Sequence, residues 1–258
     1  MPDERSRRMG AVETVIDEEH RAAFQADGFA SLPRLVDDTE LEWLRGVYDR
    51  LFSEHADFTT GDYFDIAGRQ DSDRPARLPQ IVRPEKFVPE LVESAHFQRC
   101  RAIAAQLLDI PEDELDFYGH AILKPPNYGA ATPWHQDEGY MDPRWRRRGL
   151  SIWTPLDEAT VDSGCLHYVP GAHLGPVLPH RHIDDDDRIR GLVTDAVDPA
   201  AGVPVPLASG EAVVHALRAP HYAGPNLTDQ TRRAYVLVFM GAAEEVADPE
   251  PRPWLDKD

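Results

Sequence analysis

Trp134-His135-Gln136-Asp137-Glu138 is the stretch from which the rest of the chain can be read. On an extended backbone, side chains two residues apart share a face. His135 and Asp137 would therefore point the same way and offer one metal ion a nitrogen and an oxygen from a single sheet edge. A third donor stands far downstream in His221-Tyr222-Ala223-Gly224-Pro225-Asn226, followed by Arg232-Arg233 and a strongly apolar run. Two imidazoles and one carboxylate on one side of a metal leave three octahedral positions open, which suits non-haem Fe(II) working with O2. An isolated H-x-D pair is common by chance, so its surroundings carry the argument.

Working outward, Glu18 to Gln25, Asp38 to Glu54 and Val92 to Leu108 carry apolar residues at helical spacing, with Asp38 or Thr39 placed to cap the second helix. From Phe58 to Pro89 the chain is rich in Asp, Gly, Pro and Arg and has little periodicity, which reads as a long loop or lid. Strand patterns then recur at Asp116–Lys124, Leu150–Leu156, Cys165–Val169, Glu211–Leu217 and Ala234–Met240. Helices first and short strands after predict a mainly β sandwich or barrel with added N-terminal helices. The expected division is a flexible segment 1–15, one domain over 16–243 (helical to about 110, β core over about 116–243), and an acidic, Pro-rich tail or edge covering over 244–258.

A chain of 258 residues is long enough for one sizeable core, and its 27 basic against 46 acidic residues give a net charge of −19. Such a surface repels nucleic acid and anionic lipid, so neither is an expected partner. Cys100 and Cys165 are too few and too scattered for a disulfide framework and are expected to be reduced. The start of the chain is charged and lacks an apolar core. The longest apolar run, Ala234 to Ala243, falls short of the ~18 residues of a membrane span, so a cytoplasmic location is expected. Only Lys86, Lys124 and Lys257 are lysine, a bias that reads as GC-rich coding.

Leu123-Lys124-Pro125-Pro126 precedes His135, Trp153-Thr154-Pro155-Leu156-Asp157 follows it, and Gly164-Cys165-Leu166-His167-Tyr168-Val169-Pro170-Gly171-Ala172-His173 comes next. With the opening Phe24-Gln25-Ala26-Asp27-Gly28-Phe29, this ordered series resembles the phytanoyl-CoA dioxygenase family of Fe(II)/2-oxoglutarate oxygenases, from about Phe24 to Met240. The resemblance implies a double-stranded β-helix, the cupin-like jelly roll. It also implies Fe(II) held by His135, Asp137 and His221, with 2-oxoglutarate as cosubstrate and O2 as oxidant. The expected reaction hydroxylates, or otherwise oxidises, a C–H bond of a small molecule while releasing succinate and CO2. GC-rich coding leans the setting toward bacterial natural-product biosynthesis. A non-catalytic metal-binding jelly roll is the alternative from another class. A halogenase is disfavoured, because related halogenases carry a small residue where this chain has Asp137.

Arg232 or Arg233 is expected to hold the distal carboxylate of 2-oxoglutarate, since a guanidinium meets a carboxylate in a bidentate fork. Adjacent residues of a strand face opposite ways, and the family's spacing from the distal His favours Arg232. Lys124 and Trp153 stand where family members line the cosubstrate, with framework packing as the competing reading. Ala223 replaces a Ser that some relatives use as a hydroxyl donor. His167 and His173 are read as non-ligands, His180 and His182 beside Asp184–Asp187 as part of a solvated acidic loop, with a divalent-cation cluster as the competing reading, and His215 as a core residue or a neighbour of the site. Tyr140, Trp145, Arg144, Arg146, Arg147 and Arg148 could rim the pocket, although a solvated basic loop is the plainer reading. Gln80, Arg83 and Lys86 on the expected lid have the same standing.

Overall fold

The computed structural model describes residues 16–53, 58, 61–70 and 73–256; the expected N-terminal segment 1–15 lies outside them. In chain order the described elements begin with α1 (Glu18–Asp27), β1 (Phe29–Leu32), α2 (Asp38–Ser53), β2 (Tyr63–Asp65), β3 (Pro79–Val82) and α3 (Ala95–Leu108). The chain continues through β4 (Asp116–Lys124), β5 (Thr132–His135), β6 (Trp145–Arg146), β7 (Gly149–Pro155), β8 (Leu166–Tyr168), β9 (Arg181–His182) and β10 (Leu192–Val193). It ends with β11 (Val203–Val205), β12 (Ala212–Ala216), β13 (His221–Ala223), β14 (Arg232–Met240) and β15 (Glu244–Glu245).

Two antiparallel sheets make the jelly roll. The larger runs β1-β12-β7-β14-β4-β3-β2 and the smaller β11-β8-β13-β5. The apolar run of β14 lies near the middle of the larger sheet, paired to β4 from Arg232↔Lys124 to Met240↔Asp116 and to β7 on its other side. It reads as continuous rather than alternating because both faces are buried. Tyr235, Leu237 and Phe239 face one apolar cluster with the helices. Ala234, Val236, Val238 and Met240 face the other, between the sheets, with Trp153, Tyr168 and Val213.

The helices cover the outer face. Leu41, Leu44, Val47, Tyr48 and Leu51 of α2 are buried, and the Tyr48 hydroxyl donates to the Ala234 carbonyl at 2.7 Å. Each such aliphatic side chain contributes about 1.5–3 kcal/mol relative to exposure. Phe97 of α3 meets Phe117 and Phe239 edge-on or tilted, with ring centroids 4.7 and 5.9 Å away.

Several sequence expectations shift. The α2 cap is Asp37 rather than Asp38 or Thr39, its carboxylate accepting from the Glu40 amide at 2.8 Å. The third helix begins at Ala95 instead of Val92, because Pro89–Glu93 forms a 3-10 turn and Ser94 accepts from the Phe97 amide as the cap. The expected lid is partly sheet: β2 and β3 extend the larger sheet as its edge, strands too short and too rich in turn formers to show a period. No helix among the described residues is long and apolar enough to cross a membrane.

Candidate metal centre

The smaller sheet brings the two imidazoles together. β13 lies antiparallel to β5 with His221 directly across from His135, and the two rings stand 4.1 Å apart. Gln136 keeps an extended backbone, but the strand ends at His135, and Asp137 opens a 3-10 turn over Asp137–Tyr140. The spacing argument therefore holds for direction, while the carboxylate itself sits on a turn. His135 Nε2 and His221 Nε2 each lie 3.8 Å from Asp137 Oδ1, and the three donor atoms fall within 4.8 Å of one another.

Each of these donors is fixed from behind. His135 Nδ1 donates to the Pro133 carbonyl at 2.8 Å and His221 Nδ1 to the Ala219 carbonyl at 3.0 Å, which places the lone pair of each ring on Nε2. Asp137 Oδ2 accepts from Ser151 Oγ at 2.6 Å and from His215 Nε2 at 3.3 Å, and His215 Nδ1 meets the Tyr168 hydroxyl at 2.9 Å. With Oδ2 so engaged, Oδ1 is the oxygen left to face the imidazoles. Burial pushes both His135 and His221 down, leaving them neutral with the Nε2 lone pair free. Burial alone would raise Asp137, but the surrounding imidazoles, His221 foremost, and the hydrogen bond from His215 outweigh it and hold its carboxyl well below the usual range. Neutral imidazoles and an ionised carboxylate are the protonation states a divalent ion requires. Bonds of ~2.1 Å put neighbouring donors about 3 Å apart, so small inward rotations fit the three residues to one ion.

Beyond this cluster, Arg232 is 2 % exposed, and its Nε and Nη1 have no hydrogen-bond partner among the described residues. Its guanidinium lies over the Trp153 ring at 5.3 Å, and burial pushes its pKa down to about 10, so it stays charged at neutral pH. Arg233 faces the opposite way and is fully engaged, with Asp157 at 3.0 Å and Asp49 at 2.8 Å. A buried cation with unused donors is costly unless an anion meets it, and a carboxylate suits its fork.

The other candidates find their places. Lys124 is fully buried, and its ammonium donates to the carbonyls of Ala130, Ala223 and Gly224; all three protons are spent on the framework. His180 does not belong to a solvated acidic loop. Its Nδ1 donates to the Leu178 carbonyl and its Nε2 accepts from the Gln136 amide at 3.1 Å, while burial, the main cause, lowers its pKa to about 4. His182 is tied to the Ile189 and Trp254 carbonyls, and the nearby acidic residues Asp185 and Asp186 pair with Arg181 and Arg188.

Arg144, Arg146 and Arg147 form ion pairs with Asp142, Glu244 and Asp116; Trp145 is exposed on β6, and the Arg148 carbonyl accepts from Gly241. The Tyr140 ring stands edge-on to His135 at 6.0 Å, with its hydroxyl accepting from the Leu192 amide. Gln80 reaches His120 at 2.6 Å on the inner face of the sheet, whereas Lys86 pairs with Asp62 and Arg83 bonds through its backbone to Gly119. His167 packs against Tyr222, and His173 lies against Gly28, where its ring leaves no room for a side chain and the φ of +85° favours glycine. Neither joins the metal cluster.

Ser151 escaped the sequence reading. The available signal was a hydroxyl inside a largely apolar strand, two residues from Trp153 and so on its inward face. Replacing it by Ala leaves His215 as the sole side-chain support of Asp137 Oδ2. Divalent-metal affinity is expected to fall by roughly tenfold with the fold retained, as read by a metal titration alongside thermal unfolding; unchanged affinity would remove Ser151 from the site.

The family model described as phytanoyl-CoA dioxygenase (PhyH) matches residues 24–234. A curated bovine (Bos taurus) relative, phytanoyl-CoA dioxygenase domain-containing protein 1, is 29 % identical over 191 residues, covering 68 % of this chain and 64 % of its own length. The chain thus spans a little under two thirds of that relative. Among solved structures, EvdO2 from Micromonospora carbonacea var. aurantiaca complexed with 2-oxoglutarate is 67 % identical, with TM-score 0.84, covering 94 % of this chain and 98 % of that one. AviO1 from Streptomyces viridochromogenes Tue57 is 25 % identical with TM-score 0.63, covering 93 % of this chain and all (100 %) of that one.

Proposed function

The chain belongs to the phytanoyl-CoA dioxygenase family, and on that premise we propose that it is an Fe(II)- and 2-oxoglutarate-dependent oxygenase that hydroxylates a C–H bond of a small organic molecule in bacterial natural-product biosynthesis. When bound, the iron and 2-oxoglutarate supply O2-dependent oxidation of an unactivated C–H bond with release of succinate and CO2. His135, Asp137 and His221 would hold the metal through two neutral imidazoles and one carboxylate, a donor set that suits Fe(II). Arg232 receives the distal carboxylate of 2-oxoglutarate, with Trp153 beneath the guanidinium to fix its plane. Lys124 acts at one remove, holding the β4 end against the backbone after β13.

The observation that carries this reading is the buried guanidinium of Arg232, whose Nε and Nη1 have no partner among the described residues, in the same fold as a His-Asp-His cluster. EvdO2, to which the chain is 67 % identical, was solved with 2-oxoglutarate bound, which supports the same cosubstrate here.

The test is succinate formation by the purified chain under air with Fe(II), 2-oxoglutarate and candidate small molecules, repeated in abundant chloride. Succinate is expected only with both Fe(II) and 2-oxoglutarate. Products are expected to gain oxygen and no chlorine, because the Asp137 carboxylate stands where a chloride ligand would need space. Binding of 2-oxoglutarate with no succinate across all substrates would point to the non-catalytic binding module. A chlorinated main product would reverse the assignment of reaction type.

A further inference from the structure

The segment that follows the β core leaves the sheet edge and returns to the metal centre. β15 pairs with β6, but the exposed Arg146–Glu244 pair there, at 3.7 Å, contributes little. Eight residues later the chain reaches the turn that carries Asp137. Arg252 Nη1 donates to the Glu138 carbonyl and, at 2.6 Å, to the Met141 carbonyl; Trp254 Nε1 donates to the Gly139 carbonyl at 2.8 Å. The Glu138 carbonyl already accepts from the Met141 amide at 3.1 Å within the turn, so Arg252 adds a second donor there, while the Gly139 and Met141 carbonyls take donors from this segment.

The Glu138 side chain is gripped at the same place. Arg218 meets both of its carboxylate oxygens at 2.7 and 2.8 Å, and Arg252 approaches one at 3.4 Å, with Arg252 only 10 % exposed. The turn also rests against His180. A side chain at Gly139 would come within 2.9 Å of that ring, and His180 takes the Gln136 amide proton on the other flank of Asp137. The Trp254 ring packs against His180 at 5.3 Å, so this segment touches both the turn and the histidine beside it.

We infer that residues 244–256 clamp the carboxylate-bearing turn, with Arg252 and Trp254 as positioning residues that set Asp137 for metal binding. Ser151 and His215 orient the carboxylate about its own bond; the clamp fixes the backbone from which it projects. The inference rests on the reading of His135, Asp137 and His221 as the metal ligands.

Anaerobic titration with Co(II), followed by its absorption spectrum at a temperature well below unfolding, tests the clamp without substrate or turnover. Arg252→Ala is expected to weaken Co(II) binding by roughly 10–100-fold and to alter the spectrum, as loss of a ligand's outer support does. Arg252→Lys should recover part of the affinity, since an ammonium can reach a carbonyl but cannot span the same set. Trp254→Phe, which keeps a ring and loses the N–H, should weaken binding by several-fold. Arg146→Ala should bind as the unaltered chain does.

Folded Arg252→Ala and Trp254→Phe variants with unaltered affinity and spectrum would overturn the clamp. Should Arg252→Ala fail to fold, Trp254→Phe and Arg252→Lys decide by the same readout. Failure of the site itself has a different signature: the unaltered chain would bind no Co(II), or His221→Ala would bind it equally well.

Discussion

His221→Ala is expected to abolish turnover and to reduce iron binding by more than the roughly 10–100-fold that loss of an outer support costs. The imidazole is one of three donors, and it stands on β13 directly across from His135 on β5. The vacated volume is small and the rest of β13 still pairs on both sides, so the fold should survive. Iron content after anaerobic loading and 2-oxoglutarate-dependent succinate formation measure the effect together. Near-normal values for both in a folded His221→Ala protein would sink the assignment.

The second large effect separates two adjacent arginines. Arg232→Gln removes the buried fork, and 2-oxoglutarate binding is expected to weaken by about 2–5 kcal/mol, which is tens-fold or more in affinity. Without ligand the same substitution relieves an unpaired buried charge, so the unfolding temperature should hold or rise while its increase on adding 2-oxoglutarate disappears. Arg233→Gln should do the reverse, keeping 2-oxoglutarate affinity and losing the ties to Asp49 and Asp157 at a cost of about 1 kcal/mol. Calorimetric titration of both variants with 2-oxoglutarate reads the difference. A large loss confined to Arg233→Gln would assign the role to the wrong neighbour.

The parts legible in the sequence are those whose signal is local. β4 and β14 are nine residues each, long enough for a strand pattern to stand out, and the alternation that turns Arg232 inward and Arg233 outward follows from strand geometry alone. β5 and β13, which carry the imidazoles, span four and three residues and have no period; His135 and His221 were found through their chemistry and their neighbours. Ser151 and His215 act across the sandwich from the larger sheet, and nothing in their own segments announces a partner as distant as Asp137. His180 was misread because its sequence neighbours are acidic, whereas its spatial neighbour is the Gln136 amide. Arg252 and Trp254 sit in a Pro-rich, charged stretch whose composition reads as a tail, and only the path of the backbone reveals what they touch.

His135 and His221 belong to the smaller sheet, while the residues that hold Asp137 Oδ2, Ser151 on β7 and His215 on β12, belong to the larger. An ion gripped by all three ligands would therefore rivet the two layers of the sandwich to each other. Sliding of one sheet over the other, the soft motion of such a fold, would have to stretch coordinate bonds or break the bonds to Oδ2. Loading the metal would thus stiffen the whole roll against shear, and opening of the roll and escape of the ion would become a single event.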